Sequence, residues 1–235
     1  MQAGQTEIPR AAAVRLLKGN QHFAAGALES AIREYEAALE LHPRFTEALN
    51  NLGAALGHLG RPEDALDCFI RSLEIELNDA VTLGNVALVH ILLDEVERAL
   101  DYFGQSLAVE RNYRTLNNRA TLLGRIGHLE EALHDLSSAL ELAPNDDIAL
   151  FNRSGILLAM GRTRDAFRDV ETLKERLPDN IDIDQRRREI IDASLRQLAE
   201  SGLASWSGKR VQGSRNPIPI TAGRPVSDYV VEDRR

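Results

Sequence analysis

The sequence predicts an all-α fold, a right-handed superhelical solenoid of helical hairpins, and three recurring features support this prediction. An alanine returns at intervals of 34, 34, 33 and 34 residues, a glycine precedes it by five residues in four of five copies, and an apolar residue follows it by four in every copy. The five alanines are Ala31, Ala65, Ala99, Ala132 and Ala166. A period between about 20 and 50 residues is typical of solenoids, in which each unit packs on its neighbours.

The pattern within each copy predicts two helices joined by a tight turn. Apolar residues of the fourth copy follow the i, i+3, i+4, i+7 spacing of an amphipathic helix at Leu129, Ala132, Leu133, Leu136, Ala139 and Leu140. The glycines Gly26, Gly60, Gly127 and Gly161 suit the left-handed end of a first helix. Prolines at Pro43, Pro144 and Pro178 stop the second helix. The recurring alanine favours a close approach of helix backbones, where a larger side chain would cost roughly 1–3 kcal/mol.

These signals divide the chain into consecutive segments. Residues 1–11 are expected to be a flexible N-terminus, and five repeats follow at 12–45, 46–79, 80–112, 113–146 and 147–179. Residues 180–201 are predicted to form a capping helix, because the last hairpin of a solenoid otherwise leaves an apolar face in water. Its apolar positions are Ile183, Ile190, Ile191, Leu195 and Leu198, and Arg186, Arg187 and Arg188 are predicted to form its solvated face. Residues 202–235 are predicted to form an irregular, extended tail.

The period and the order of alanine, aromatic residue and proline resemble the tetratricopeptide repeat (TPR) over about residues 12–179. Small residues at Gly19, Gly53, Ala87, Ala120 and Ser154 provide a second position for close helix contact. The resemblance implies that the first helix of each hairpin lines a concave surface. It further implies a role in binding other proteins.

Asparagines recur on that surface and are the main candidates for ligand contact. The sixth repeat position holds Asn51, Asn85, Asn118 and Asn152, and Asn20 lies nearby in the first copy. A side-chain amide both donates and accepts, so a row of them can pair with the backbone of an extended peptide at roughly 0.5–1.5 kcal/mol per hydrogen bond. The row resembles the asparagine ladders of peptide-binding TPR proteins. The alternative is that asparagine is simply frequent at this position.

Further groove positions predict the side chains that a bound segment would carry. Arg114 and Arg125 give a local cationic spot, and the apolar candidates are Leu16, Leu17, Phe23, Ile91, Leu92 and Phe151. These features suit aliphatic side chains and one acidic residue, although part of the apolar set belongs equally well to the core between repeats. The two-carboxylate clamp of chaperone-binding TPR proteins is absent, because Leu16, Val81 and Asn85 stand where the clamp needs cations.

Composition argues against several other functions. The chain has a net charge of −8, and −11 of charge outside the tail disfavours nucleic-acid binding. No apolar run approaches membrane-spanning length, and the single cysteine, Cys68, fits a core position. The histidines and carboxylates lack the spacing of metal or catalytic motifs, so neither an enzyme nor a cofactor is expected. A cytoplasmic protein is expected, and its bias toward arginine over lysine suggests a bacterial source.

The tail carries a second resemblance. Residues 203–209, with Val226, Ser227 and Asp228 and the final run 232–235, resemble the toxin-binding segment of prevent-host-death and VapB-type antitoxins. That resemblance implies a PIN-type ribonuclease as partner, with contacts by Trp206, Arg210, Arg215, Arg224, Val226 and Tyr229. The alternatives are a disordered tail, or one whose stretch 217–220 docks into the chain's own groove.

The sequence therefore predicts a non-catalytic scaffold or adaptor that binds an extended peptide in the concave groove. The alternative is an antitoxin-like protein that neutralises a nuclease through its tail.

Overall fold

The computed structural model describes residues 8–201, which contain eleven α-helices and no β-strand. The helices are α1 Arg10–Ala24, α2 Leu28–Leu41, α3 Thr46–His58, α4 Pro62–Ile75, α5 Ala80–Leu92, α6 Val96–Val109, α7 Tyr113–Arg125, α8 Leu129–Leu142, α9 Asp147–Ala159, α10 Thr163–Arg176 and α11 Ile181–Glu200. We call α1, α3, α5, α7 and α9 the first helices and α2, α4, α6, α8 and α10 the second helices. The predicted all-α fold is confirmed for this part of the chain. The predicted tail, 202–235, lies outside the described residues.

The helices group into two compact units, residues 8–122 and residues 123–201, which divide within α7. In the first unit each helix from α1 to α6 packs on the next one, and α3 also contacts the first helices on either side of it. In the second unit α8, α9, α10 and α11 pack in the same serial manner, and α11 also contacts α9. Each helix therefore buries its apolar face mainly on its nearest neighbours in sequence, as in a solenoid.

The recurring alanines and the apolar residues after them form the interior. All five alanines are completely buried. The residues that follow them by four are at most 2% exposed, and they are Tyr35, Phe69, Phe103, Leu136 and Val170. The small residue at the second close-contact position, on the first helix of the hairpin, leaves room for these side chains. An added Cβ at Gly53 would lie 2.8 Å from the ring of Phe69, and one at Gly19 would collide with the ring of Tyr35. The ring edge therefore packs directly against the glycine backbone.

The turns between the two helices of a hairpin share one backbone conformation. Gly60 has φ +78°, and the amide N–H of the next residue, Arg61, donates to the carbonyl of Leu56 at 3.0 Å. The third copy has Asp94 at this place with φ +59°, and Glu95 N–H donates to the carbonyl of His90 at 2.8 Å. The same helix-ending turn thus forms with aspartate, although L-residues other than glycine rarely adopt positive φ.

A charged pair replaces apolar contacts in the interior of the second unit. Arg153 on α9 donates through two nitrogens to the buried carboxylate of Asp169 on α10, at 2.7 Å for each bond. The hydrogen bonds to that carboxylate raise the pKa of Arg153. The corresponding residues of the second repeat are Leu52 and Cys68, both buried, and burial raises the pKa of the Cys68 thiol to about 11. Cys68 is therefore a core residue, as its position predicts.

Asn180 caps the N-terminus of α11, because its side chain accepts from the N–H groups of Asp182 and Ile183 at 3.0 and 3.2 Å. Ile183, Ile190 and Leu195 are buried, and Ile191 and Leu198 are partly buried. The prediction of a solvated arginine face is wrong for two of the three arginines. Arg187 forms an ion pair with Glu171 and lies over the Phe167 ring, and Arg186 lies over another ring; only Arg188 is exposed.

Candidate functional site

The first two predicted asparagines bond to each other. The Oδ1 atom of Asn20 on α1 accepts from Nδ2 of Asn51 on α3 at 2.9 Å, and also from the hydroxyl of Tyr35 at 2.9 Å. Tyr35 is buried beneath them, so the hydroxyl fixes the orientation of the Asn20 amide. These two asparagines therefore form a held pair rather than two independent contact groups.

The next two asparagines keep their hydrogen-bonding groups for solvent or a ligand. Asn85 on α5 and Asn118 on α7 are partly exposed, and within residues 8–201 their side chains have no hydrogen-bond partner. Each can donate through Nδ2 and accept through Oδ1. Asn152 on α9 is also partly exposed but is already engaged within the protein.

Helix α5 exposes apolar side chains next to Asn85. Val81, Leu88 and Leu92 are 60%, 38% and 59% exposed. Together with Asn85 they follow a spacing of four, three and four residues, which places all of them on one face of the helix. We call this set the α5 stripe. An exposed row of aliphatic residues on a helix that is also apolar on its buried face is typical of an interaction surface.

The other apolar candidates divide between core and surface. Leu16 belongs to the core, whereas Leu17, which occupies the sixth repeat position of the first copy, is 59% exposed. Phe23, Ile91 and Phe151 are partly buried. Leu92 is predicted from the sequence as an apolar groove residue, whereas Val81 and Leu88 are not. The signal that identifies them is their helical spacing from Asn85, which places them on the same face.

The two predicted cationic residues lie at opposite ends of α7. Arg114 is in its first turn, where Nε donates to the Tyr113 hydroxyl at 3.0 Å and the guanidinium lies 5.6 Å from the centre of that ring. Arg125 is the last residue of the helix and is exposed. Because a thirteen-residue helix is about 20 Å long, the two charges occupy separate places.

The titratable side chains at the turn between α5 and α6 are paired with one another. His90 is buried, its Nδ1 lies 2.6 Å from Glu95 Oε2, and its ring stacks on Tyr102. The hydrogen bond from His90, with Arg98 adding to it, lowers the pKa of Glu95. Between residues 8 and 201 no group of three or more histidine, cysteine or acidic side chains is arranged to hold a metal ion.

Among the helices of residues 8–201, none combines the length and the apolar character needed to cross a membrane. The predicted tail contacts Trp206, Arg210, Arg215, Arg224, Val226 and Tyr229 all lie outside the described residues.

Comparison with protein families and known proteins identifies the repeat. Models described as tetratricopeptide repeat match residues 44–112 and 117–180, and one described as TPR repeat matches residues 19–60. Human protein O-mannosyl-transferase TMTC3 is 30% identical over 138 residues, which are 58% of this chain and 12% of that protein. The mouse protein of the same name is 36% identical over 143 residues, 15% of its length. The chain thus spans a small fraction of these relatives, and their transferase activity does not extend to it on this ground.

Solved structures share the fold at low sequence identity. PilW, a type IV pilus biogenesis factor, superposes with a TM-score of 0.73 at 17% identity, over 82% of this chain and 94% of that one. A TPR protein of Thermus thermophilus gives 0.65 at 22% identity, over 79% of this chain and all of that one. YrrB, described as a TPR protein with an unusual peptide-binding site, gives 0.55 at 19% identity, over 77% and 90%. The family models, the serial packing of hairpins and these structures together show that the chain belongs to the tetratricopeptide repeat proteins.

Proposed function

We propose that this protein is a non-catalytic scaffold that binds an extended segment of another protein along its first helices. The observation that supports this function is the α5 stripe, where the unpaired amide of Asn85 lies among exposed Val81, Leu88 and Leu92. TPR proteins bind other proteins or peptides, and YrrB is named for a peptide-binding site. The proposal assigns the same class of ligand to this chain.

The chemistry of the stripe sets the kind of segment that would bind. An extended peptide exposes backbone N–H and C=O groups along both edges, and the amides of Asn85 and Asn118 can pair with them whatever the peptide sequence. The aliphatic side chains beside Asn85 gain about 25 cal/mol for every Å² of apolar surface removed from water. A few such contacts, less the loss of freedom on association, give a dissociation constant on the order of 10 μM.

The test is selection of peptides from a random phage-displayed library on the full-length protein. We expect enrichment of sequences with aliphatic residues at alternate positions, and at least about a tenfold loss of affinity for the selected peptide in the double variant Asn85→Ala, Asn118→Ala. Asn78→Ala is the matched control, because Asn78 is an exposed asparagine in the turn before α5. Equal affinity in the double variant and the control would show that the first helices are not the site.

The same peptide tested on a chain ending at Ser201 separates the groove from the tail. Groove binding predicts unchanged affinity after residues 202–235 are removed. A partner captured from the native host only by the full-length chain, and lost on Trp206→Ala, would instead support the antitoxin-like alternative. If the tail occupies the groove, its removal should raise the affinity for the peptide.

A further inference from the structure

A cavity of about 450 Å³ in the first unit is lined by α2, α3, α4 and the turn before α4. Its buried lining is apolar and consists of four side chains that are at most 8% exposed: Leu39, Leu52, Leu56 and Cys68. The Cys68 thiol forms no hydrogen bond within residues 8–201. Cavities of about 300–1,000 Å³ with an apolar lining and a few polar groups are typical of ligand sites. We call this site the α2–α4 cavity.

The edge of the α2–α4 cavity carries more negative than positive charge. Six exposed residues line it with four carboxylates and two guanidinium groups: Glu36, Glu40, Asp64, Asp67, Arg61 and Arg71. Arg61 is paired with Asp64 at 2.6 Å, and Arg71 lies 3.8 Å from Asp67. The side chains of Glu36 and Glu40 form no ion pair or hydrogen bond within the described residues. Two carboxylates at the edge are therefore available to a cation from outside.

The fifth repeat places an arginine of its own at the equivalent position. Steps of 34, 33 and 34 residues lead from Leu52 to Arg153 and from Cys68 to Asp169. The Arg153 side chain is 26% exposed, and two of its nitrogens donate to the Asp169 carboxylate at 2.7 Å each. A hairpin of this chain therefore accommodates a guanidinium between its two helices where a carboxylate meets it.

The second repeat leaves the same place open. In the third repeat Tyr102 occupies the position of Cys68, and its ring stacks on His90 with 5.2 Å between the ring centres. The second repeat has neither an arginine nor an aromatic ring at these positions, because Leu52 is shorter than arginine and Cys68 is smaller than tyrosine. The α2–α4 cavity thus offers space for a guanidinium beside carboxylates that can pair with it.

We propose that the α2–α4 cavity binds an arginine side chain of a partner protein. The aliphatic part of that side chain packs on Leu39, Leu52 and Cys68, and its guanidinium pairs with Glu36 and Glu40. Arginine suits the cavity better than lysine because the guanidinium is planar, is more weakly hydrated and can donate to two carboxylates. The cavity shares no residue with the α5 stripe, so this inference adds a second binding surface and does not depend on the proposed function.

Titration of the full-length protein with N-acetyl-arginine amide, followed by amide NMR, tests this proposal. We expect the amide signals of Leu39, Leu52 and Cys68 to shift and to saturate with a dissociation constant on the order of 1 mM. The citrulline analogue keeps the shape without the charge and should bind at least about fivefold more weakly, and the lysine analogue about threefold more weakly. Free arginine should also bind more weakly, because the carboxylates at the edge repel its α-carboxylate.

Two variants test the location of the site. Glu36→Gln, Glu40→Gln should weaken binding of N-acetyl-arginine amide at least about fivefold. The matched control is Glu74→Gln, which should change the affinity less than about twofold, because Glu74 is an exposed glutamate one step of 34 residues after Glu40 and does not line the cavity. Leu52→Arg, Cys68→Asp introduces the pair of the fifth repeat and fills the cavity from within, so binding should be lost. If urea denaturation shows that this variant does not fold, the glutamine variants decide.

Three results would each overturn the inference: no shift at these amides, equal affinity for the arginine and citrulline analogues, or unchanged affinity in Glu36→Gln, Glu40→Gln. Tighter binding of free arginine than of its blocked form would assign the cavity to a small molecule and overturn the partner protein. The variant Asn85→Ala, Asn118→Ala should bind N-acetyl-arginine amide as wild type does. Failure of the proposed function and failure of this inference are therefore distinguishable.

Discussion

Asp94 occupies a backbone conformation that the other four hairpins assign to glycine. Its φ of +59° lies in the left-handed region, where a Cβ meets the neighbouring carbonyl, and its backbone hydrogen bonds match those at Gly60. Aspartate tolerates this region better than most residues but not without cost. The turn at Asp94 therefore carries backbone strain that the four turns with glycine avoid.

Replacing Asp94 by glycine should stabilise the protein. Relief of left-handed strain, less the greater backbone entropy that glycine loses on folding, predicts a gain of about 0.5–1 kcal/mol in the free energy of unfolding. Urea denaturation followed by circular dichroism measures it. Gly60→Ala is the matched control, since the space around Gly60 is open and its φ is +78°, so backbone strain alone should lower stability by about 1 kcal/mol. A lower urea midpoint for Asp94→Gly would show that the aspartate side chain stabilises the turn.

Single residues also mark where prediction from the sequence reached its limit. The buried alanines and Cys68 followed from periodicity, because a helix-spaced apolar position has one buried side. The bond between Asn20 and Asn51 did not, because it depends on a hydroxyl from Tyr35 on another helix. The prediction that Arg186 faces solvent is wrong for a similar reason. Three consecutive arginines in the sequence do not show that one of them lies over an aromatic ring of another helix.

At the scale of the element, the contact between the two helices of a hairpin depends on a small residue opposite a large one. Gly53 packs against Phe69 in the second hairpin, while the fourth has alanine and leucine at the same two positions, Ala120 and Leu136. The helix bounds follow from the apolar period and the turn residues. The closeness of each contact does not, because it is set by the facing pair jointly.

Gly53→Ala should destabilise the second hairpin, and Phe69→Leu should partly restore it. An added Cβ would lie 2.8 Å from the Phe69 ring, which predicts a loss of about 1–3 kcal/mol from overpacking. The double variant Gly53→Ala, Phe69→Leu reproduces the pair of the fourth hairpin. Its loss in the free energy of unfolding should be smaller, by at least about 0.5 kcal/mol, than the sum of the losses in the two single variants. Urea midpoints of the four proteins complete the cycle, and additive losses would show that positions 53 and 69 are not coupled.

At the scale of the whole molecule, packing within each of the two units is serial, and the helices α1–α6 and α8–α11 each contact few others in their own unit. In such an array stability is close to a sum of local terms and interfaces between neighbours. The fold class was predictable for this reason, since one period repeated along the chain specifies one packing rule. The division into units within α7 was not, because the period passes through it unchanged.

Serial packing predicts that damage stays local. Gly53→Ala should speed amide hydrogen exchange most in α1–α6, the unit that contains it, and least in α8–α11, because the helices of each unit pack mainly on their neighbours in sequence. Exchange followed by mass spectrometry of peptic fragments measures this gradient. An equal loss of protection in both units would show that the described chain unfolds as one cooperative body.

Arg188 has a consequence for what can pack on α11. A step of 34 residues from Ser154 leads to it, so an exposed arginine occupies on α11 the place where five first helices carry glycine, alanine or serine to admit their second helix. A repeat array that ended in an open small-residue position would offer the same surface to a second copy, and head-to-tail addition of that kind has no natural stopping point. On α11 that position carries a long charged side chain instead, so a second copy that packed there as a second helix does would have to move this side chain aside.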